Sequence, residues 1–370
     1  MALSVPVLRS VRSSRLSISS RARLLSSSPS PGGRHGDAAK RLNIAVVGTG
    51  RMGQIRLAGI QRDPRLSIAA IIDPAVIAAG PGRRASLEHQ YKTRVYEDVK
   101  DAASQCEADG AAIDGIWVAT PTPTHLQIIQ DATSVAGSSG LKAIGIEKPV
   151  GGTLQEIDEA YRVCSERRVK LFCSFQRRFD PSYEALRRAC VDNAQIGKLQ
   201  SIHTYPTKVY AYGTSLSPVL QEIGVMDKAS VWLEFEKSSV VCTMDLSRSA
   251  LYGYDQRIEV SGEQGMLQVL NPAKTSLVSS SISGVTSDVL SHSFPERFHD
   301  AYLHELDHFV DVLQGNAPPL VHWNAARMAT IISEAARIAA VEKKVVTLQY
   351  GKTKQNSPLS DPHIEVKYVY

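Results

Sequence analysis

The sequence predicts an α/β chain with two parts, a doubly wound parallel sheet followed by an α+β domain with an open, mainly antiparallel sheet. Three observations in one stretch carry the first part. Within LNIAVVGTGRMG, the apolar and β-branched run Ile44 to Val47 reads as a strand buried on both faces. It breaks at Gly48, and Gly48, Gly50 and Gly53 hold a G-x-G-x-x-G spacing. A second apolar strand, Leu66 to Ile72, ends in Asp73, about 20 residues beyond Gly53. Strand, glycine turn, helix (Arg51 to Arg62), strand and acid in that order are the signature of a Rossmann dinucleotide-binding unit.

Each residue of the signature has a physical task. Gly48 permits the tight turn, Gly50 lets the backbone approach a pyrophosphate, and Gly53 lets the following helix pack close to the strand. The turn as a whole, Gly48, Thr49, Gly50, Arg51, Met52 and Gly53, is the expected cofactor cradle, with helix-start N–H groups facing phosphate. A carboxylate at Asp73 accepts from a ribose 2′-hydroxyl and repels a 2′-phosphate, which predicts NAD over NADP.

The whole chain sets bounds. Its 370 residues are enough for two domains, and no apolar run approaches the ~20 residues of a membrane span. The net charge of +5 is modest, and much of it sits at one end. No Asp or Glu precedes Asp37, whereas Arg9, Arg12, Arg15, Arg21, Arg23 and Arg34 stand among serines. That composition resembles an organelle transit peptide, with Leu16, Ile18 and Leu24 suited to an amphipathic helix; a basic tail is the other reading. The expected location is therefore the mitochondrial matrix, with a plastid or the cytoplasm as alternatives. Outside this segment the charge indicates neither a nucleic-acid nor a membrane partner. Cys106, Cys164, Cys173, Cys190 and Cys242 form no C-x-x-C pair and read as reduced thiols.

Taken in order, residues 1–40 are expected to be transit or linker, 41–150 the dinucleotide-binding domain, 151–350 the second domain and 351–370 a tail. Helical patterning covers Arg84 to Tyr91 and then Tyr96 to Ser104. The strand Gly115 to Ala119 ends in TPTPTH, where proline forces a turn at the carboxyl edge of the sheet. Thr124 and Gln127 are spaced as a capping box for a helix from His125 to about Ala136. The strand Lys142 to Ile146 leads into Glu147, Lys148 and Pro149. Beyond it, strands are expected at Lys170 to Phe175, Ser201 to Tyr205, Ala229 to Phe235, Val240 to Leu246, Gln256 to Ser261 and Met266 to Val269. Helices are expected at Leu154 to Arg167, Ser182 to Val191, Glu296 to Leu313 and Asn324 to Val341, with a possible last strand at Ile364 to Tyr370.

GTGRMG, Asp73, VATPTPTH, EKPVGGT, FQRRFDPSYEAL, IGKL and ERFHDAYLHELDHFVDVL, in this order, resemble the Gfo/Idh/MocA oxidoreductases, and within them the inositol 2-dehydrogenase branch. The likeness covers about Leu42 to Tyr350. It implies NAD as cofactor, a polyol or sugar CH–OH as substrate (myo-inositol to scyllo-inosose), and a homodimer or homotetramer. It also implies that Lys148 lies beside the substrate hydroxyl, with Thr120, Pro121, His125 and Glu147 on the nicotinamide side. For His125 a role at the helix start stands equally open. Tyr254 is carried over as a substrate contact, with a packed tyrosine as the other reading.

The chain departs from the family pattern at one place. Relatives carry an Asp and, four residues on, a His on a helix after the IGKL strand. Here only Tyr205, Pro206 and Thr207 separate Thr204 from Lys208, where KVYAYGTS resumes the pattern. The proton-accepting pair is thus expected to be missing, and a catalytically impaired NAD-binding protein or shortened isoform is the alternative function. His203 and His125 are the nearest substitutes. One further motif is set aside. His304, Glu305 and His308 spell the H-E-x-x-H of zinc proteases, with His299 as a conceivable third ligand. Tyr302, Leu306, Phe309, Val310 and Leu313 give that helix an apolar packing face, so no metal is expected.

Overall fold

A computed structural model describes residues 40–192, 194–197, 205–235, 240–350 and 366–369. The basic N-terminal segment, His203, Thr204 and all but the last residue of the expected strand Ser201 to Tyr205 lie outside these.

The first part alternates strand and helix: β1 (Leu42–Val47), α1 (Arg51–Arg62), β2 (Leu66–Ile72), α2 (Pro74–Ala78), α3 (Pro81–Tyr91), β3 (Arg94–Tyr96), α4 (Val99–Ala108), β4 (Gly115–Val118), α5 (His125–Ser139), β5 (Ala143–Glu147), α6 (Leu154–Glu166) and β6 (Lys170–Ser174). The strands form one parallel sheet in the order β3-β2-β1-β4-β5-β6. This is the doubly wound order, and its crevice opens where β1 and β4 diverge in connection. β4 and β5 are buried at every position, which is why their sequences run apolar without alternation.

The second part contains α7 (Pro181–Arg187), β7 (Lys208–Thr214), α8 (Pro218–Glu222), β8 (Lys228–Glu234), β9 (Val241–Ser247), β10 (Ile258–Gly262), β11 (Gly265–Val269), β12 (Val278–Ser281), β13 (Gly284–Ser287), α9 (Phe294–Arg297), α10 (His299–Gln314), α11 (Trp323–Glu342), β14 (Val346–Tyr350) and β15 (Val366–Val369). Five strands make an antiparallel sheet, β15-β14-β7-β8-β9, while β10–β11 and β12–β13 are separate hairpins. α11 covers one face of the five-stranded sheet, setting Met328, Ile331, Ala335 and Ala339 against Val209, Val231, Leu233 and Val346. Among the described residues the other face is uncovered: Tyr210 and Trp232 stand opposite each other on β7 and β8, with Tyr212 and Trp232 67% and 57% exposed.

α10 does not stay with its neighbours in sequence. It lies on the parallel sheet, where Phe298, Tyr302, Leu306, Phe309 and Leu313 join Ile44, Val46, Leu57, Ile71, Trp117 and Phe172 in one core. Phe309 and Trp117 meet edge to face at 4.9 Å, and burying each such ring stabilises the fold by roughly 2 kcal/mol. This face of the dinucleotide sheet is therefore covered jointly by α1, near the start of the described chain, and α10, near its end.

Several expectations are corrected. The boundary at residue 150 cuts the parallel sheet, because β6 follows one more crossover helix. Tyr96 belongs to an edge strand paired with Ile72 on β2, not to a helix, since pairing overrides propensity in so short a segment. Thr124 forms no capping box: its backbone is already helical, and its hydroxyl bonds Thr120 Oγ1 and Pro121 O. The capping box present is Thr153 with Glu156, opening α6. β7, β12, β13 and β14 were not anticipated. The helix expected from Glu296 is broken at Phe298, whose φ of −112° leaves the helical range and separates α9 from α10.

Candidate active site

The carboxyl ends of β1, β2, β4 and β5 lie side by side and carry, in turn, Gly48, Asp73, Thr120 and the pair Glu147–Lys148. Gly48 has φ of +91°, and a Cβ there would stand 2.9 Å from Ala119 O. Gly53 would press a Cβ to 1.9 Å from Gly48 O, so both glycines are demanded by the protein itself. Gly50 differs. Its backbone is extended (φ −66°, ψ −170°), and a Cβ would meet nothing within 4 Å. Gly50 is exposed and faces open space at the start of α1, which leaves room for a pyrophosphate to approach the backbone there.

Asp73 is fixed from two sides. Its Oδ2 accepts from Thr49 N (2.8 Å) and Thr49 Oγ1 (2.6 Å), while Oδ1 caps α2 by accepting from Ala75 N and Val76 N. The carboxylate thus clamps the glycine turn to the end of β2. Arg51 turns away from the turn, donating to Ser293 Oγ and lying 4.2 Å over the Phe294 ring. Met52 packs into the apolar core. We expect Asp73→Asn, which keeps the cap acceptor, to narrow the preference for NAD over NADP by about tenfold. Titrating both dinucleotides calorimetrically checks this, and equal affinities in the unsubstituted protein would remove Asp73 from the role. Asp73→Ala would in addition lose the α2 cap, at about 1 kcal/mol.

On the other side of the crevice His125 is 1% exposed, and its ring joins two loops: Nδ1 is 2.9 Å from Pro149 O and Nε2 is 2.9 Å from Thr120 O. It acts as a strut between the loops that flank the crevice, and its ring has no open face toward a cofactor. Thr120 remains partly open, and Pro121 and Lys148 are exposed. Tyr254 lies edge-on to Phe298 at 6.0 Å, its amide held by Ser291 O, so this ring is at least partly a packing element.

Beneath Lys148 lies a buried ionic cluster that motif reading missed. Arg56, from α1, donates through Nε (2.9 Å) and Nη2 (2.6 Å) to Glu147 Oε1, and through Nη2 to Ser174 Oγ (2.7 Å) and Glu305 Oε2 (2.7 Å). Its guanidinium lies between the rings of Trp117 (4.1 Å) and Tyr302 (4.9 Å). Trp117 Nε1 also donates to Glu147. Burial opposes the charge on Arg56, but the two carboxylates outweigh it and hold the guanidinium charged. Burial pushes Glu305 up to about 7, with Glu147 adding to the shift and Arg56 and Ser174 opposing it. The signal for Arg56 was present: it is the one charged residue on the buried stripe Gly53, Arg56, Leu57, Ile60 of α1. Glu305 is thus committed to Arg56 and Ser174. His304 approaches Phe179 O, His308 accepts from Leu320 N, and no metal-binding cluster occurs among the described residues.

A dinucleotide-dependent enzyme is the class that this fold and crevice define. The chain belongs to the Gfo/Idh/MocA oxidoreductase family: residues 42–175 match its NAD-binding Rossmann fold and residues 190–348 its C-terminal alpha/beta domain. An uncharacterized oxidoreductase of Bacillus subtilis is 30% identical over 338 residues, covering 80% of this chain and 94% of that protein. A myo-inositol 2-dehydrogenase of Thermotoga maritima is 28% identical over 348 residues, covering 83% and 99%. The crystal structure of a probable dehydrogenase from Thermotoga maritima superposes with a TM-score of 0.72 at 25% identity, covering 83% and 98%. Both sequence alignments are longer than the share of this 370-residue chain they occupy, so each relative carries residues with no counterpart here. The cofactor is NAD, as the match to the family's NAD-binding fold shows, and the open approach at Gly50 is compatible with it.

Proposed function

We propose that this chain is an inositol 2-dehydrogenase-like oxidoreductase acting on the CH–OH group of a polyol, with its chemical step impaired by a lost base. The observation that carries the reading is the placement of Lys148 at the carboxyl end of β5, beside the dinucleotide crevice and anchored through its neighbour Glu147. The inositol 2-dehydrogenases among its relatives support the substrate class. NAD supplies a hydride acceptor when bound. Lys148 would stabilise the alkoxide that develops on the substrate oxygen. An ammonium is a poor proton acceptor, so the step still needs a base.

The impaired reading rests on the junction before β7. Thr207 donates to Glu234 O (2.8 Å) and accepts from Leu348 N (2.7 Å), while Tyr205 packs tilted against Tyr350 at 5.6 Å. Residues 205–207 are thus held against β8 and β14, directly ahead of β7. We place the relatives' unmatched residues at this junction. NADH formation measured over a panel of polyols should be slow or absent although NAD binds; robust turnover of myo-inositol would refute the loss of the base.

The bare sheet face supports a homodimer or homotetramer, because Tyr210, Tyr212 and Trp232 form an apolar patch of the kind that marks an interface. Trp232→Glu should shift the sedimentation coefficient toward that of a monomer. An unchanged monomer in both proteins would discard the assembly.

A further inference from the structure

Two carboxyl groups share one arginine in the cluster beneath Lys148, and the sharing is unequal. Glu147 Oε1 takes two Arg56 donors and the indole of Trp117, whereas Glu305 takes one Arg56 donor and the Ser174 hydroxyl, both on Oε2. Glu305 Oε1 is buried and has no hydrogen-bond partner, and the residue is 0% exposed. With both carboxylates ionised the cluster would hold a net negative charge away from water; with one proton it is neutral. Desolvation disfavours the first state, and the orphan oxygen of Glu305 is where the proton belongs.

We propose that Glu305, held on Arg56, is a positioning residue for the Glu147–Lys148 segment and the group that releases a proton when oxidised NAD occupies the crevice above it. The inference rests on the NAD site described above. Arg56 spans 249 residues to join α1, which opens at the pyrophosphate turn, to α10, and Glu147 hangs from the same guanidinium. Lys148 is the next residue along the chain, so its backbone is set by the cluster. The nicotinamide ring of NAD⁺ carries a positive charge that NADH lacks. A negative charge in the dry interior below the crevice is screened little by water and so acts at longer range than one at the surface. Oxidised cofactor therefore favours ionised Glu305, and by reciprocity ionised Glu305 favours oxidised cofactor.

The groups facing Glu305 leave it as the titrating member. From α1 comes Arg56, and from the end of β5 come Glu147 and Lys148. From β6 come Ser174 and Cys173, whose thiol burial pushes well up. Beyond β6 lies Arg178, whose charge burial disfavours. On α10 itself, burial drives the Tyr302 hydroxyl upward, while His304 and His308 bond elsewhere. Glu305 is neutral below about pH 7 and charged above it.

The test is titration of the full chain with NAD⁺ and NADH from about pH 6 to about pH 8, with NAD⁺ also measured at pH 7 in two buffers of different ionisation enthalpy. NAD⁺ affinity should rise about fivefold across this range while NADH affinity stays level, and NAD⁺ binding at pH 7 should release a fraction of a proton. Glu305→Gln keeps an oxygen for Arg56 and Ser174 but has no proton to lose. It should abolish both the slope and the release. Ser174→Ala, which removes one bond to the ionised form, should move the midpoint to higher pH, and serves where the glutamine variant does not fold. A wild-type chain with a flat NAD⁺ profile and no proton release would overturn the proposal, as would a glutamine variant that keeps the wild-type slope. Absence of NAD⁺ binding at every pH would overturn the cofactor assignment as well.

Discussion

Gly50→Val should abolish NAD binding, raising the dissociation constant by about a hundredfold or more, while leaving a folded protein. The expectation follows from the contrast between the three glycines of the turn. Gly48 and Gly53 answer to neighbouring protein atoms, so side chains there would break the turn before any ligand arrived. At Gly50 the backbone angles suit any residue, and an added Cβ meets no protein atom. Valine would cost about 1 kcal/mol as a poorer N-cap of α1, well within what the fold tolerates. What it would meet is the pyrophosphate, which approaches the backbone closely at this position. Calorimetric titration with NAD, beside a thermal melt, separates the two effects. Gly53→Val is the control, expected to lower the melting temperature strongly through its 1.9 Å clash with Gly48 O. If Gly50→Val bound NAD as the parent does, the phosphates would have to lie elsewhere.

Inserting a relative's segment between Thr207 and Lys208 should raise NAD-dependent oxidation of myo-inositol by about 10²–10⁴-fold, the usual worth of a positioned base. The insertion point is favourable, because Thr207 ends the docked link and Lys208 begins β7. The strand can keep its pairing with β8 and β14 while the new helix leaves from the sheet's end. In the restored protein, Lys148→Ala should remove the activity again while NAD still binds. An insertion protein that folds, binds NAD and gains no turnover would show that the junction is not where the chemistry was lost.

The parts of the fold that were legible are those whose pattern is dictated by burial on the spot. α1 and β2 were placed to the residue, because a strand covered on both faces must be apolar throughout and the glycine turn fixes the helix start. Tyr96 reads as the start of a helix from sequence because β3 becomes a strand only by pairing with β2. Thr124 and Gln127 had the spacing of a cap but not the backbone; Thr153 and Glu156 had both. Gly48 to Gly53 and Asp73 were named by their spacing, and Thr120 and Lys148 by family resemblance; all stand at the carboxyl ends of β1, β2, β4 and β5. The cluster under them was named by neither, since Arg56 and Glu305 announce themselves only as charges on apolar stripes, and nothing local tells two such charges that they will meet.

The seating of α10 on the parallel sheet has a consequence for the order in which the chain acquires structure. When β6 has left the ribosome, the dinucleotide sheet has all six strands, yet the face already lined by α1 and α3 still lacks the cover of Phe298, Tyr302, Leu306 and Phe309. More than a hundred residues, including the whole antiparallel sheet up to β9 and both hairpins, must emerge before α10 can cover it. The nascent Rossmann unit is thus a folding intermediate with an open apolar flank, a species that invites chaperones or aggregation during synthesis. The late helix also delivers the second carboxyl to Arg56, so the cluster under Lys148 is assembled only when nearly the full chain has been made.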